Sequence, residues 1–85
     1  MKKLFIISNE SIFESENKYF CDNLDMKSTP EGLNKNFEIN IIARKSKKIR
    51  THEINVKNIN PADSVFFFLK NIFKNLNEKD SKFLI

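Results

Sequence analysis

Four consecutive apolar residues, Leu4-Phe5-Ile6-Ile7, stand between two lysines and the polar pair Ser8-Asn9. A run so short and so continuous is what a strand covered on both faces of a parallel sheet requires, and it is far too short for a signal-peptide core. A second strand is predicted from Phe37 to Ala43, where Ile39, Ile41 and Ile42 supply β-branched bulk. Another apolar run begins at Lys82-Phe83-Leu84-Ile85. Inner strands of this kind need crossover connections and neighbours on both faces. The expected class is therefore α/β: a partial Rossmann-like domain, with a mainly parallel sheet of three to four strands, one short helix and one long one.

The connections carry their own signals. From Asn9 to Ser28, apolar residues such as Phe13, Phe20 and Leu24 are scattered among Ser, Glu, Asn and Asp without a sustained period, which predicts a long functional loop or a poorly formed helix. Thr29-Pro30-Glu31 combines a capping residue, a proline suited to the first helical position and a carboxylate, so a short helix is expected from there to about Lys35. Arg44 to Thr51 reads as a basic turn, and His52 to Val56 alternates as a short third strand at a sheet edge. Asn60-Pro61-Ala62-Asp63 repeats the capping pattern and predicts the start of a long helix. At 100° per residue, Val65, Phe66, Phe68, Leu69, Ile72, Phe73 and Leu76 share one arc, with Lys70, Asn71, Lys74 and Asn75 opposite. That arc is expected to be buried, leaving Phe67 outside it.

Composition removes several classes. With Gly32 as the only glycine, neither a Walker phosphate loop nor a dinucleotide-binding fingerprint can be built, and no cofactor is expected. One histidine, His52, and one cysteine, Cys21, cannot supply a zinc site, so no metal is expected either. A lone cysteine fits a reducing, cytoplasmic setting. No stretch approaches the length of about 20 apolar residues that a membrane span needs. The formal charge of +4 is compatible with an anionic partner or simply with a lysine-rich solvated surface. At 85 residues the chain makes at most one small domain, burying roughly 60% of its unfolded surface. A natural domain seldom stops on an uncovered inner strand, so residues 1 to 85 are expected to form an incomplete N-terminal domain, finished by further chain or by a complementing one.

Ligands of open α/β sheets bind outside the carboxyl ends of the strands. Ser8, Asn9 and Glu10 follow the first strand and Arg44 follows the second, which places these four residues on one rim as candidates for holding a polar ligand. The densest charge run adds Lys45, Lys47, Lys48 and Arg50, suited to phosphate or to anionic lipid headgroups, with a soluble turn as the plain alternative. It lacks the interleaved aromatic residues of single-strand binders, and nucleic acid is not expected as a partner. Glu10, Glu14, Glu16, Asp22 and Asp25 cluster, but their spacing selects neither a cation nor glycoside chemistry.

The order of these elements resembles the beginning of the N-terminal domain of GT-B fold glycosyltransferases, in the broad group related to family 4. Cys21-Asp22-Asn23-Leu24-Asp25-Met26-Lys27, then Pro30-Glu31-Gly32-Leu33 and a strand ending in Ala43-Arg44, look like a bacterial subgroup of these enzymes. The resemblance implies two Rossmann-like domains facing a cleft, the acceptor held mostly by the N-terminal one and the nucleotide sugar by a C-terminal donor domain outside this sequence. It further implies a sugar transferred to a cell-surface polysaccharide or lipid-linked acceptor, in the cytoplasm or peripherally on the inner membrane face. Two departures are plain. The glycine-rich acceptor loop is replaced by Ser8-Asn9-Glu10-Ser11, and the donor-domain pair of glutamates separated by seven residues is missing, so no catalytic residue is transferred. The alternative from another class is a small stand-alone α/β binding or protein-interaction module, docking a partner through Phe67 and an open sheet edge.

Overall fold

The computed structural model describes residues 2–76 and 81–84. Its elements run β1 (Lys3–Ile7), β2 (Phe13–Ser15), β3 (Lys18–Cys21), α1 (Leu24–Leu33), β4 (Glu38–Arg44), β5 (His52–Glu53), β6 (Asn58–Ala62), α2 (Val65–Asn75) and β7 (Ser81–Leu84). β6, β4, β1 and β7 lie side by side in that order as a parallel sheet. The class is α/β, with the chain order of parallel strands expected for the first half of a doubly wound domain. Successive strands step outward from β1 through β4 to β6, and α2 then returns the chain to the far side of β1.

Register explains the two faces. Ile6, Ile41 and Ile59 sit level on one side, as do Leu4 and Ile39. This side is capped by the antiparallel sheet β2-β3-β5 and by α1, giving a continuous core of Leu4, Ile6, Ile12, Cys21, Ile39, Ile41, Ala43, Ile54, Val56 and Ile59. The opposite side carries Phe5 and Ile42, both buried, and Phe83, whose ring stacks on Phe5 at 5.2 Å. The outer edge of β7 has no strand beside it among the described residues. Ile85, expected to extend this strand, lies outside them.

Four expectations are corrected. First, the segment from Asn9 to Ser28 is ordered: β2 and β3 form a hairpin whose turn residues Glu16 and Asn17 both have positive φ, 52° and 63°, as a two-residue type I′ turn demands. Second, α1 begins at Leu24 with Asn23 as its cap, accepting from the amide of Asp25 at 2.8 Å. Pro30 stands inside this helix, fully buried, where its missing N–H forfeits one ladder bond in exchange for packing on the core. Third, His52–Glu53 pairs with β3 in the small sheet, while the third parallel strand is Asn58–Ala62. Pairing with β4 and burying Ile59 and Ala62 outweigh the capping pattern at Asn60-Pro61, and an edge strand is where a sheet accepts proline. Ser64 caps α2 instead, its hydroxyl accepting from the amide of Phe67 at 3.3 Å.

Fourth, α2 is turned relative to the expected arc, and none of its residues is buried. Phe68, Asn71, Ile72 and Asn75 are half-buried, whereas Phe66, Leu69, Phe73 and Leu76 are exposed along with Phe67. The sheet below supplies the reason. Beside Phe5 and Ile42 it presents Asn40 and Asn60, and these line a small cavity of about 170 Å³ together with Asn71 and Asn75. Asparagines of sheet and helix thus line one cavity, with the polar flank of the helix lying towards the sheet there.

Candidate functional site

In a doubly wound sheet the natural binding place is where the strand order reverses, at the carboxyl ends of the two strands that flank the reversal. Here those strands are β1 and β7. A crevice of about 310 Å³ lies there, bounded by Ser8, Asn9 and Glu10 after β1, by Asn23 and Asp25 at the start of α1 and Thr29 in its middle, and by Leu84 of β7. Met26 and Pro30 add apolar wall.

Local hydrogen bonds hold the rim. Ser8 is buried; its amide donates to the carbonyl of Ile42 at 2.9 Å, continuing the β1 to β4 pairing one residue further. Its hydroxyl accepts from the Glu10 amide at 3.0 Å and donates to the Glu10 carbonyl at 3.1 Å. The hydroxyl is thus spent on shaping the turn, and it is Asn9 and Glu10 that are exposed. Arg44 donates to the carbonyl of Asn9 at 2.7 Å, tying the ends of β4 and β1 together. The amide group of Asn23 donates to the Glu10 carboxylate at 3.2 Å, which joins the rim to the first turn of α1. Beneath it, the Cys21 thiol donates to the carbonyl of Asn23 at 3.3 Å. Burial, then the nearby Glu10 carboxylate, push the thiol pKa up, so Cys21 stays a neutral donor under the cap residue.

The basic turn builds a second, different environment. A cavity of about 440 Å³ separates Arg44 to Lys48 from the start of α2 at Asp63 and Ser64. Lys45 reaches Glu14 at 3.4 Å and Asp63 at 3.8 Å, and Arg50 pairs with Asp22 and donates to the Ser11 hydroxyl at 3.2 Å. Ser46 is buried and shapes the turn as Ser8 does, accepting from the Lys48 amide and donating to its carbonyl. Lys47 and Lys48 are exposed, and Ile49 between Lys48 and Arg50 stands well out of the surface. Two of the run's charges are therefore occupied by carboxylates on neighbouring elements.

The structure brings Ser8, Asn9, Glu10 and Arg44 to one rim, with Arg44 bracing the loop rather than lining the crevice. Sequence reasoning missed Asn23, Asp25 and Thr29 as wall residues. Asn23 followed by Asp25 was a legible cap, but Pro30 had been assigned the first helical position, which moved the helix away from the rim. Among the described residues, no group of three or more His, Cys, Asp and Glu side chains gathers, and no helix is long and apolar enough to cross a membrane. Comparison with known proteins finds no family model that matches this chain, and no curated protein or solved structure that does.

Proposed function

We propose that the chain is the acceptor-side portion of a glycosyltransferase and seats a neutral, polyhydroxylated acceptor in the crevice between the ends of β1 and β7. The observation that carries this reading is the composition of the crevice wall. Carboxylates of Glu10 and Asp25, amides of Asn9 and Asn23 and the hydroxyl of Thr29 offer paired donors and acceptors for sugar hydroxyls, while Met26, Pro30 and Leu84 give the C–H face of a ring an apolar surface. Two carboxylates on the wall disfavour an anionic ligand at this place. The resemblance of residues 21–33 and of β4 to family 4-related enzymes supports the same reading.

Under this proposal, the chain binds and orients the acceptor, and the ends of Ser8 and Arg44 keep the rim rigid. Nucleotide-sugar binding and stabilisation of the departing diphosphate belong to a donor domain outside this sequence, so the chain alone is not catalytically complete. Lys47, Lys48 and the outstanding Ile49 supply a peripheral contact with an anionic membrane surface on the cytoplasmic side.

Titration of the isotope-labelled chain with neutral mono- and disaccharides, followed by amide NMR, tests the acceptor site. Shifts at Ser8 to Glu10, Asn23 to Thr29 and Leu84, weakened in Asp25→Ala and Glu10→Ala, are the expected result. No shifts at those positions with any saccharide, or shifts confined to Lys45 to Arg50 with inorganic phosphate, would remove the reading. A second reading, a stand-alone interaction module, is favoured by the exposed aromatic flank of α2.

A further inference from the structure

The basic turn after β4 and the start of α2 enclose the cavity of about 440 Å³ at the carboxyl ends of β4 and β6. Five cationic side chains line it, Arg44, Lys45, Lys47, Lys48 and Arg50, against one carboxylate, that of Asp63. Two of the five are engaged, Arg50 with Asp22 and Lys45 with Glu14 and Asp63. The other three have no carboxylate beside them among the described residues: Arg44 bonds the Asn9 carbonyl through one nitrogen, and Lys47 and Lys48 are exposed. Five positive charges thus meet three negative ones, and two remain unbalanced around one concavity. The wall that carries them is fixed. The Lys45 amide donates to the Ala62 carbonyl at 2.7 Å, the Ser46 amide donates to the Ile12 carbonyl at 2.8 Å, and the hydroxyl of buried Ser46 closes on Lys48.

This excess selects the charge of the ligand. Like charges gathered around one cavity repel one another, and an anion between them removes that repulsion. A carboxylate brings one negative charge and leaves the cavity half neutralised, whereas a phosphate monoester brings about −1.5 to −2 at neutral pH and matches the excess. Its oxygens also suit the partners, since the planar fork of Arg44 bonds two at once and the lysines act as mobile point charges. A nucleic-acid strand fits poorly, because no aromatic side chain lines the cavity to stack a base. The amino end of α2 adds a partial positive charge that the exposed Asp63 offsets, so the side-chain cations set the sign of the field. Ala62 and Val65 supply apolar wall for the rest of the ester, and the volume lies within the roughly 300 to 1,000 Å³ of small-ligand sites.

We infer that this cavity is a binding site for a phosphate monoester, held by Arg44, Lys47 and Lys48 and bounded by Lys45 and Arg50. A soluble phosphorylated metabolite and a lipid whose headgroup ends in a monoester both present that chemistry. The site is separate from the sugar crevice, which lies between β1 and β7 at the other side of the sheet. It shares Lys47 and Lys48 with the proposed membrane contact and goes beyond it, because a concave site saturates with one ligand whereas a charged surface does not.

Titration of the isotope-labelled chain with glycerol phosphate, at an ionic strength held at about 0.15 M and followed by amide NMR, tests the site. The expected result is saturable shifts at Lys45 to Lys48 and at Ser64 and Val65, half complete below about 10 mM. Lys47→Gln combined with Lys48→Gln is expected to weaken binding by about tenfold or more. Lys18→Gln combined with Lys57→Gln removes the same charge from two exposed lysines outside the cavity and is expected to change it by less than about twofold. Saccharide shifts are read at other amides, so this site and the sugar crevice can fail separately, and failure here leaves the membrane contact standing. Where the shifts saturate, vesicles separate the two sources: pelleting with phosphatidic acid in preference to phosphatidylglycerol at equal surface charge assigns the site to a lipid headgroup, and no such preference assigns it to a soluble monoester. Shifts that rise linearly without saturation overturn the inference, as does an equal loss of binding in the Lys18 and Lys57 variant.

Discussion

Replacing Ile12 by alanine tests whether the small hairpin sheet and the parallel sheet share one core. Ile12 is fully buried at 0% exposure, and its amide and carbonyl clip the segment before β2 to the end of β4, through the Arg44 carbonyl at 2.8 Å and the Ser46 amide at 2.8 Å. The backbone clip survives the substitution, so the loss is one of packing. Removing three carbons costs about 2.4 kcal/mol at about 0.8 kcal/mol per buried methylene. The void left behind adds roughly 1 kcal/mol, since a site pinned by hydrogen bonds on both sides collapses poorly. A total near 3.5 kcal/mol is a large share of the roughly 4 to 13 kcal/mol expected for a domain of this length, and corresponds to a drop in Tm of about 15–25 °C. Ile49→Ala is the internal reference: the same chemical change at a residue 78% exposed is expected to cost less than about 0.5 kcal/mol. Urea unfolding followed by far-ultraviolet circular dichroism measures both. If Ile12→Ala costs less than about 1 kcal/mol, or no more than Ile49→Ala, the hairpin is an appendage and the single-core description is refuted.

The Glu31 carboxylate accepts from Lys27 and from the Asn55 amide, and these bonds hold its pKa below the usual carboxylate range. Its stabilising contribution is therefore complete above the unfolded-state pKa and lost as pH falls through the lower folded value; urea midpoints of wild type and Glu31→Gln should differ at neutral pH and converge in acid, and a gap that widens on acidification would contradict this. Glu16→Gly is expected to stabilise by roughly 0.5 to 1 kcal/mol, because a β-carbon is strained at its positive φ; a lowered urea midpoint would count against the turn geometry. Cys21, buried with a raised pKa, should react with a disulfide reagent only as fast as the protein opens, so that mild urea accelerates labelling. Rapid labelling of the native chain would place the thiol at the surface.

The inner strands were legible because Leu4 to Ile7 is a continuous apolar run, a pattern that suits a doubly covered parallel strand, and because Ile39, Ile41 and Ile42 concentrate β-branched bulk in the second. What misled was proline. Pro30 and Pro61 each sit one residue after a plausible cap and before a carboxylate within two residues, yet one is buried mid-helix and the other lies in an edge strand. Local capping chemistry is worth about 1 kcal/mol, and burying Pro30 on the core or pairing Ile59 with Ile41 is worth more. The hairpin was hidden because Phe13-Glu14-Ser15 and Lys18-Tyr19-Phe20 are too short to show a period, and its turn, Glu16-Asn17, lacks the glycine that marks such turns. The rim residues after β1 and at the end of β4 followed from topology alone, whereas the walls from α1 depended on a helix start that sequence reasoning placed too late. The orientation of α2 could not be read from its own residues, since the sheet beneath it presents Asn40 of β4 and Asn60 of β6 to the helix's Asn71 and Asn75 around one cavity.

Leu84 closes one wall of the crevice from a strand whose first registered pair joins Ser81 to Lys3 across almost the whole length of the chain. Under the proposed function, ligand capture and the clasping of this strand are one thermodynamic event: whatever loosens Ser81–Leu84 opens the cleft, and whatever fills the cleft holds the strand down. Such a site reports on its own assembly. Occupancy should slow hydrogen exchange in β7 well before it alters the interior strands, making the margin of the sheet the most responsive gauge of binding.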